Sequence, residues 1–457
     1  MKRTKIVATL GPSCSEADVL GEMAQAGMDV ARINVSHGTP AQHERLALLV
    51  REVERQLGRP LGLMLDTRGP EVRVGELPEP IPLSPGEEVV LGKGGIPVTY
   101  QDLWRDVPVG AQVLLSGGEI ALRVEAKEAG ALRCRVERGG TLQPRKRVSV
   151  PGVRLHLPPL PPEDRQSLNL ARELEFEFVA LSFVQSPQDL AEARKLTDGS
   201  WLIAKVETAA AVRRLAEVIQ AADGAMVARG DLGVEIDLYQ VPLVQRRLVD
   251  LCNAQAKPVV VATQMLTSMV YSPVPTRAEV ADVAAAVWDG ADGVMLSEES
   301  AVGNFPVQAV AALAGACRAA ESGEVEIRVP GLVRELVGEV PAAIAHAACT
   351  LAQEVRAKAI VCATVSGWTA RLVAAFRPRV PVLAATPDPH THRRLTLVWG
   401  VVPWLIEPQD QLEDLIQQAT EGAREAGVVS EGERVVVTCG LPFYQPGTTN
   451  LLRVMAA

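Results

Sequence analysis

No window of the 457-residue chain stays apolar for the ~18 positions that a membrane-spanning helix needs. The basic start, MKRTKIVATLGPSC, is not followed by an apolar stretch of signal-core length, so neither a membrane protein nor a secreted one is expected. Basic charge is also in short supply. Lys and Arg number 46 against 55 Asp and Glu, a net charge of −9. No basic cluster is interleaved with aromatics, so no nucleic-acid partner is expected. Cysteines are few and scattered: Cys14, Cys134, Cys252, Cys317, Cys349, Cys362 and Cys439 show no CxxC spacing. That argues against a disulfide framework and a zinc site, and for a reducing cytoplasm with most thiols acting as small buried apolar groups. Low-complexity tracts and solenoid repeats are missing too.

What the chain does have is ordinary globular material, 47% hydrophobic and 22% charged. Its length suggests about three domains. Short apolar runs recur with polar residues at their ends: TKIVATLG, VARINVSH, LGLMLDTR, FVALSFV, WLIAKVE, GAMVARGD, PVVVATQM and GVMLSEE. Amphipathic helical patterns such as SEADVLGEMAQAG and TRAEVADVAAAVWDG separate most of them. Buried strands alternating with helices predict a parallel sheet, and eight units in a row predict a (β/α)8 barrel. An open doubly wound sheet is the alternative, but no GxGxxG follows the first strand.

One interval breaks the rhythm. EEVVLG, AQVLLSGGEIALRVEA and GALRCRVERGG alternate with period 2 and are punctuated by glycine, which predicts a small antiparallel β domain after the third barrel strand. Lying on the side where barrel active sites sit, it is expected to be a lid. Farther on, AIVCATVS, PVLAATP, VVPWLIE and RVVVTCG are strands of a separate α/β domain, with EIRVPGLVREL as the linker. The expected boundaries are 1–72 and 152–328 for the barrel, 73–151 for the insert and 329–457 for the C-terminal domain.

Residues at the C-terminal ends of barrel strands face the active site. Here those ends carry Arg32, Asn34 and Ser36, then Asp66 and Thr67, then Lys205 and Glu207, then Asp231, then Thr263. A single charged strand end is explained by a salt bridge in the barrel wall; complementary residues converging from several strands are not. Glu207 and Asp231 form a carboxylate pair that suits Mg2+, which leaves its other positions to water and substrate oxygens. Lys205 shares a strand face with Glu207 and is placed to neutralise a phosphoryl group. Gly230 lets a substrate approach the backbone, and DLGVE is expected to begin a short helix whose free N–H groups bind an anion such as a carboxylate. A metal-assisted enzyme acting on a small anion follows, with phosphoryl transfer and enolate chemistry both open.

TKIVATLGPSC, ARINVSHG, LDTRGPEVR, ALSFV, IAKVET, MVARGDLGVE, ATQMLTSM, PTRAEVADVA and GTTNLLRV together resemble pyruvate kinase of the bacterial type, in the right order from end to end. The resemblance implies phosphoryl transfer from phosphoenolpyruvate to ADP, giving pyruvate and ATP. It also implies a C-terminal regulatory domain, usually in a homotetramer. By motif, Glu207 and Asp231 would bind Mg2+ (or Mn2+), and Lys205 would stabilise the transferring group. Arg32 and Arg73 would contact phosphate, and His37 and Arg73 would lie near the nucleotide. Asn34, Ser36, Asp66 and Thr67 would hold K+. Gly230, Asp231 and Thr263 would hold the substrate carboxylate, with Thr263 on the route that protonates the enolate through water. Family members with glutamate in the DT(K/R)GPE motif generally need a monovalent cation, and this chain has Glu71.

Departures are visible as well. Where the family usually has MLSGETA, this chain has Glu298 and Ser300; Ala285 replaces an asparagine and Arg68 a lysine. In the usual KGVNLPG of the lid return, Arg147 and Ser149 appear. They touch subunit contacts and nucleotide positioning rather than the reaction. ATVSGWTARLVAAFRP resembles the family's phosphate-effector loop, so Thr364, Ser366, Gly367 and Thr369 are candidate contacts for a phosphorylated effector; a plain helix-capping turn is the alternative. His43, His156, His346, His390 and His392 show no metal-ligand spacing, and the last two are expected at the surface. Two other functions remain to be weighed: a magnesium-dependent lyase on a related barrel, and a regulatory paralogue that binds phosphoenolpyruvate without turnover. LDTRGPEVR and the insert speak against the first, and intact Lys205, Glu207, Asp231 and Thr263 against the second.

Overall fold

The computed structural model describes residues 2–323, 327, 339–442 and 448–457. Apart from Ile327, the predicted linker and the 328/329 boundary lie outside the described residues. Eight parallel strands close into a barrel in chain order: β1 (Lys5–Thr9), β2 (Val30–Asn34), β3 (Gly62–Asp66), β4 (Phe178–Leu181), β5 (Trp201–Val206), β6 (Gly224–Ala228), β7 (Val259–Ala262) and β8 (Gly293–Leu296). Each was expected from its apolar run. Both faces of these strands are buried, so the runs are continuous rather than alternating.

The two faces nonetheless separate cleanly. Ile33, Leu63, Leu65, Leu202, Ala204, Ala225 and Val227 pack outward with the helices. Val30, Met64, Ile203 and Met226 fill the interior. Side chains alternate along a strand. Arg32 and Asn34 therefore follow Val30, Asp66 follows Met64, and Lys205 follows Ile203, all on the interior face near the C-terminal mouth. Parallel register sets Asn34 of β2 beside Asp66 of β3. The flanking helices carry the stop signals their sequences predict. Helix Arg277–Asp289 begins in a Thr276/Glu279 capping box and ends at Gly290, whose φ of 95° suits glycine.

Between β3 and β4 the chain builds a six-stranded antiparallel sheet with a core of its own, including Val74, Leu91, Val113, Leu122 and Leu132. Its entering strand, Val72–Arg73, pairs antiparallel with its leaving strand, Arg147–Ser149. The two crossings are thus stitched together at the barrel rim. The C-terminal domain is a five-stranded sheet. The four predicted strands run parallel, and a fifth, Thr449–Ala456, adds antiparallel at the edge. That segment, half exposed, lacks the apolar run that marks the others, and its sequence signalled only a motif.

The C-terminal domain floors the barrel. Arg377 donates to Asp292, to Asn253 Oδ1 at 2.7 Å and to the Gly290 carbonyl at 2.6 Å. Lys5 Nζ donates to the Val401 carbonyl at 2.7 Å. With the N-terminal end covered, the C-terminal mouth facing the inserted sheet is left for chemistry. All seven cysteines are free thiols, six of them buried. Among the described residues, no helix is long and apolar enough to cross a membrane.

Candidate active site

Six polar side chains from five strand ends meet in the mouth. Arg32 Nε donates to Asp66 Oδ2 at 2.6 Å, and its Nη1 donates to Thr9 Oγ1 at 2.7 Å. Lys205 Nζ donates to Asp66 Oδ1 at 2.9 Å and to Ser182 Oγ at 2.7 Å, and stands 3.6 Å from Glu207 Oε2. All are buried. Burial alone would push the Asp66 carboxyl up, but Arg32 and Lys205 hold it below the usual carboxylate range. Burial likewise opposes the Lys205 ammonium, yet Asp66 and Glu207 hold its pKa above the ordinary value. The mouth therefore keeps two permanent cations aimed at one spot.

Glu207 has a different environment. Its Oε1 accepts the Phe183 N–H at 2.7 Å, while the buried Oε2 has no hydrogen-bond partner. Burial pushes its carboxyl up to about 7; Lys205 works against that shift and Asp231 adds to it. An orphaned carboxylate oxygen with a second carboxylate nearby is a donor set that suits a small divalent cation. Among the described residues no group of three or more His, Cys, Asp or Glu gathers, so a metal here would draw its remaining ligands from water and substrate. Asp231 is engaged by the Arg147 guanidinium, which also lies 4.4 Å from the centre of the Phe183 ring.

The helix after β6 spans Arg229–Glu235, starting two residues earlier than DLGVE predicts. Gly230 and Asp231 thus sit in its first turn, and the Gly230 N–H, expected to face an anion, donates to Thr263 Oγ1 at 2.8 Å. Thr263 has φ 68° and Gln264 φ 57°, a conformation that β-branched residues rarely adopt. Arg229 holds it there, donating Nη2 to the Thr263 carbonyl at 2.7 Å and pairing with Asp282.

Of the oxygen-rich residues at the ends of β2 and β3, Asn34 and Asp66 are brought side by side by strand register. Asn34 Oδ1 accepts the Ser36 N–H at 3.1 Å, and Thr67 Oγ1 accepts the Ser182 N–H at 3.0 Å. Arg73 is tied to Glu71, Nε to Oε2 at 2.9 Å. His37 is exposed on the loop after β2, and its carbonyl contacts the buried His43 ring at 2.7 Å. Thr364, Ser366 and Gly367 lie far away in chain and fold, on the C-terminal domain, where Gly367 (φ 78°) leads into helix Trp368–Ala375. The Thr369 hydroxyl is bound to Thr449 Oγ1 at 2.6 Å, and both residues line one pocket with Thr364 and Ser366. His390 is exposed as expected, but His392 is half-buried and its ring is driven toward the neutral form by burial. Ser182, Phe183 and Arg229 were not among the expected site residues, and Arg147 stood out only as a departure in the lid return. Ser182 could have been found, since it directly follows β4; Arg147 lies on another domain and carries no such signal.

Buried cations converging on the mouth of a (β/α)8 barrel beside a carboxylate pair, under an inserted sheet domain, suit an enzyme that acts on a small anion with a metal's help. The family model "Pyruvate kinase, barrel domain" matches residues 1–310, and "Pyruvate kinase, alpha/beta domain" matches residues 342–455. The chain belongs to the pyruvate kinase family. It is 37% identical to the pyruvate kinase of Clostridium acetobutylicum, with 99% of each chain covered. It is 40% identical to that of Geobacillus stearothermophilus, over 99% of this chain and 80% of that protein. A crystal structure of a pyruvate kinase from Cryptosporidium parvum superposes with a TM-score of 0.93 at 33% identity, covering 100% of this chain and 96% of the other.

Proposed function

We propose that this chain carries out the glycolytic transfer of the phosphoryl group of phosphoenolpyruvate to ADP, giving pyruvate and ATP. The observation that carries the proposal is Lys205, buried at the mouth and held between Asp66, Ser182 and Glu207. The P–O bond to the enol oxygen breaks, a P–O bond to the terminal phosphate of ADP forms, and the enolate takes a proton at carbon. Such a transfer needs positioning and charge neutralisation more than covalent help. Lys205 and Arg32 hold the phosphoryl oxygens, with Arg73 joining from the insert. The first turn at Gly230 and Asp231 orients the substrate carboxylate, and Thr263 lines the route by which water protonates the enolate. His37 and Arg73 lie toward the nucleotide.

Glu207 and Asp231 would hold Mg2+ or Mn2+, which would supply positive charge to polarise the phosphoryl group. Asn34, Ser36, Asp66 and Thr67 would hold K+ beside the phosphate. In this account residues 73–151 close over residues 1–72 and 152–328 and exclude water from the transfer. Residues 329–457 are regulatory, and Thr364, Ser366, Gly367 and Thr369 receive a phosphorylated effector, which calorimetry with sugar phosphates tests. A homotetramer working in the cytoplasm completes the proposal; exposed Leu238, Tyr239, Leu243 and Tyr271 offer apolar surface for subunit contacts.

The decisive experiment is a coupled assay for pyruvate formed from phosphoenolpyruvate and ADP, run on the purified chain and on Lys205→Met. Removing one such charge typically lowers turnover by ~10²–10³. Near-normal turnover in Lys205→Met would sink the assigned role. Absence of pyruvate from the unmodified chain would favour a non-catalytic paralogue or a lyase.

A further inference from the structure

Arg147 stands at a junction that the transfer chemistry leaves unexplained. It opens the strand by which the chain leaves the inserted domain, directly opposite Arg73 on the entering strand. From there its side chain, only 17% exposed, crosses to the barrel and ion-pairs with Asp231. The guanidinium is steadied from below by the Phe183 ring, an arrangement that favours a flat cation. Phe183 in turn donates its N–H to Glu207. The guanidinium touches Asp231 alone, while its charge also favours the ionised forms of Glu207 and Glu235. Glu207 Oε2, 3.6 Å from the Lys205 ammonium, still keeps no hydrogen-bond partner and so stays open to a further ligand.

Two cations then have a claim on Asp231: one covalently part of the lid, the other free in solution. They repel each other and cannot both be bound to that carboxylate at full strength. We propose that Arg147 is a lid-borne counter-ion that latches the hinge of the inserted domain to Asp231, and that a divalent cation displaces it. This rests on Glu207 and Asp231 being the metal pair. Coupling of this kind is reciprocal: whatever the latch takes from metal affinity, the metal takes from the latch. Arrival of the metal thereby loosens the two crossing strands at the moment when the lid must adjust to substrate.

The test uses the full chain without substrates and follows Mn2+ binding by electron paramagnetic resonance. Arg147→Met and Arg147→Gly should bind Mn2+ about 5-fold more tightly or better, the lower end of ordinary site-to-site coupling. Arg147→Lys, which keeps the charge, should stay near the unmodified chain. Amide exchange at residues 72–73 and 147–149 should speed up on adding Mn2+ to the unmodified chain, and should already be fast in Arg147→Met. Unchanged or weaker Mn2+ binding in both neutral variants overturns the latch, provided Glu207→Gln weakens binding as expected. Unaltered Mn2+ binding in Glu207→Gln overturns the metal pair, and the latch with it.

Discussion

Thr263 sits in a left-handed backbone conformation because Arg229 grips its carbonyl. Strain of this kind costs about 1–3 kcal/mol per residue and persists only where neighbours enforce it. Arg229→Met should let the turn relax and carry the Thr263 hydroxyl away from Gly230. The expected result is a fall in kcat of at least about 10-fold with a smaller change in KM for phosphoenolpyruvate, a split that marks loss of a transition-state contact. Equal losses in both, or none, would separate the strain from catalysis. Glu71 offers a second test at this scale. It is bound to Arg73, and a lysine in its place would bring a fixed positive charge where the carboxylate now stands. Turnover should be much higher in potassium than in a bulky inert cation at matched ionic strength, and Glu71→Lys should narrow the gap. Equal rates in both salts for the unmodified chain would refute the potassium site.

Strand periodicity explains which parts of the site were legible from sequence. On β2, β3 and β5 an apolar interior residue precedes each polar one by two positions, so Arg32, Asp66 and Lys205 had only the mouth to face. Arg147, Phe183 and Arg229 reach the site from a domain crossing and from the turns after β4 and β6, where no period fixes direction. At the other end of β1, Lys5 is buried against the C-terminal domain, and burial lowers its pKa from 10.5 to about 8. Between those two values the unfolded chain holds the proton and the folded chain does not. Stability must therefore rise with pH from about 8 toward 10.5, and the desolvation burden is carried in full below about 8. Urea midpoints at pH ~7.5 and ~10 should show this rise in the unmodified chain relative to Lys5→Met, worth at most roughly 3 kcal/mol. Parallel pH profiles would mean that Lys5 keeps its proton throughout.

At the scale of the whole molecule, the barrel is covered at both ends for different purposes: a stitched insert over the mouth, a docked domain under the floor. The number and order of layers were legible because each strand family has its own period. The manner of docking was not, because Arg377, Trp399 and Lys5 meet across long stretches of chain. Arg377 is buried to 2% of its side-chain surface, paired with Asp292 and stacked 5.0 Å from the centre of the Trp399 ring. An arginine so enclosed behaves like a key left in its lock. Freed from the barrel, the C-terminal domain would expose Trp399 and Leu397 and strand Asp292 without its partner, so neither part has a clean surface of its own. A chain divided anywhere between residues 323 and 339 should thus behave as one object in two pieces. Co-expressed halves should co-purify and melt together, whereas Arg377→Ala should let them part on a sizing column. Halves that separate with Arg377 intact would show that peptide continuity, not the buried contact, keeps the barrel and the C-terminal domain in the same body.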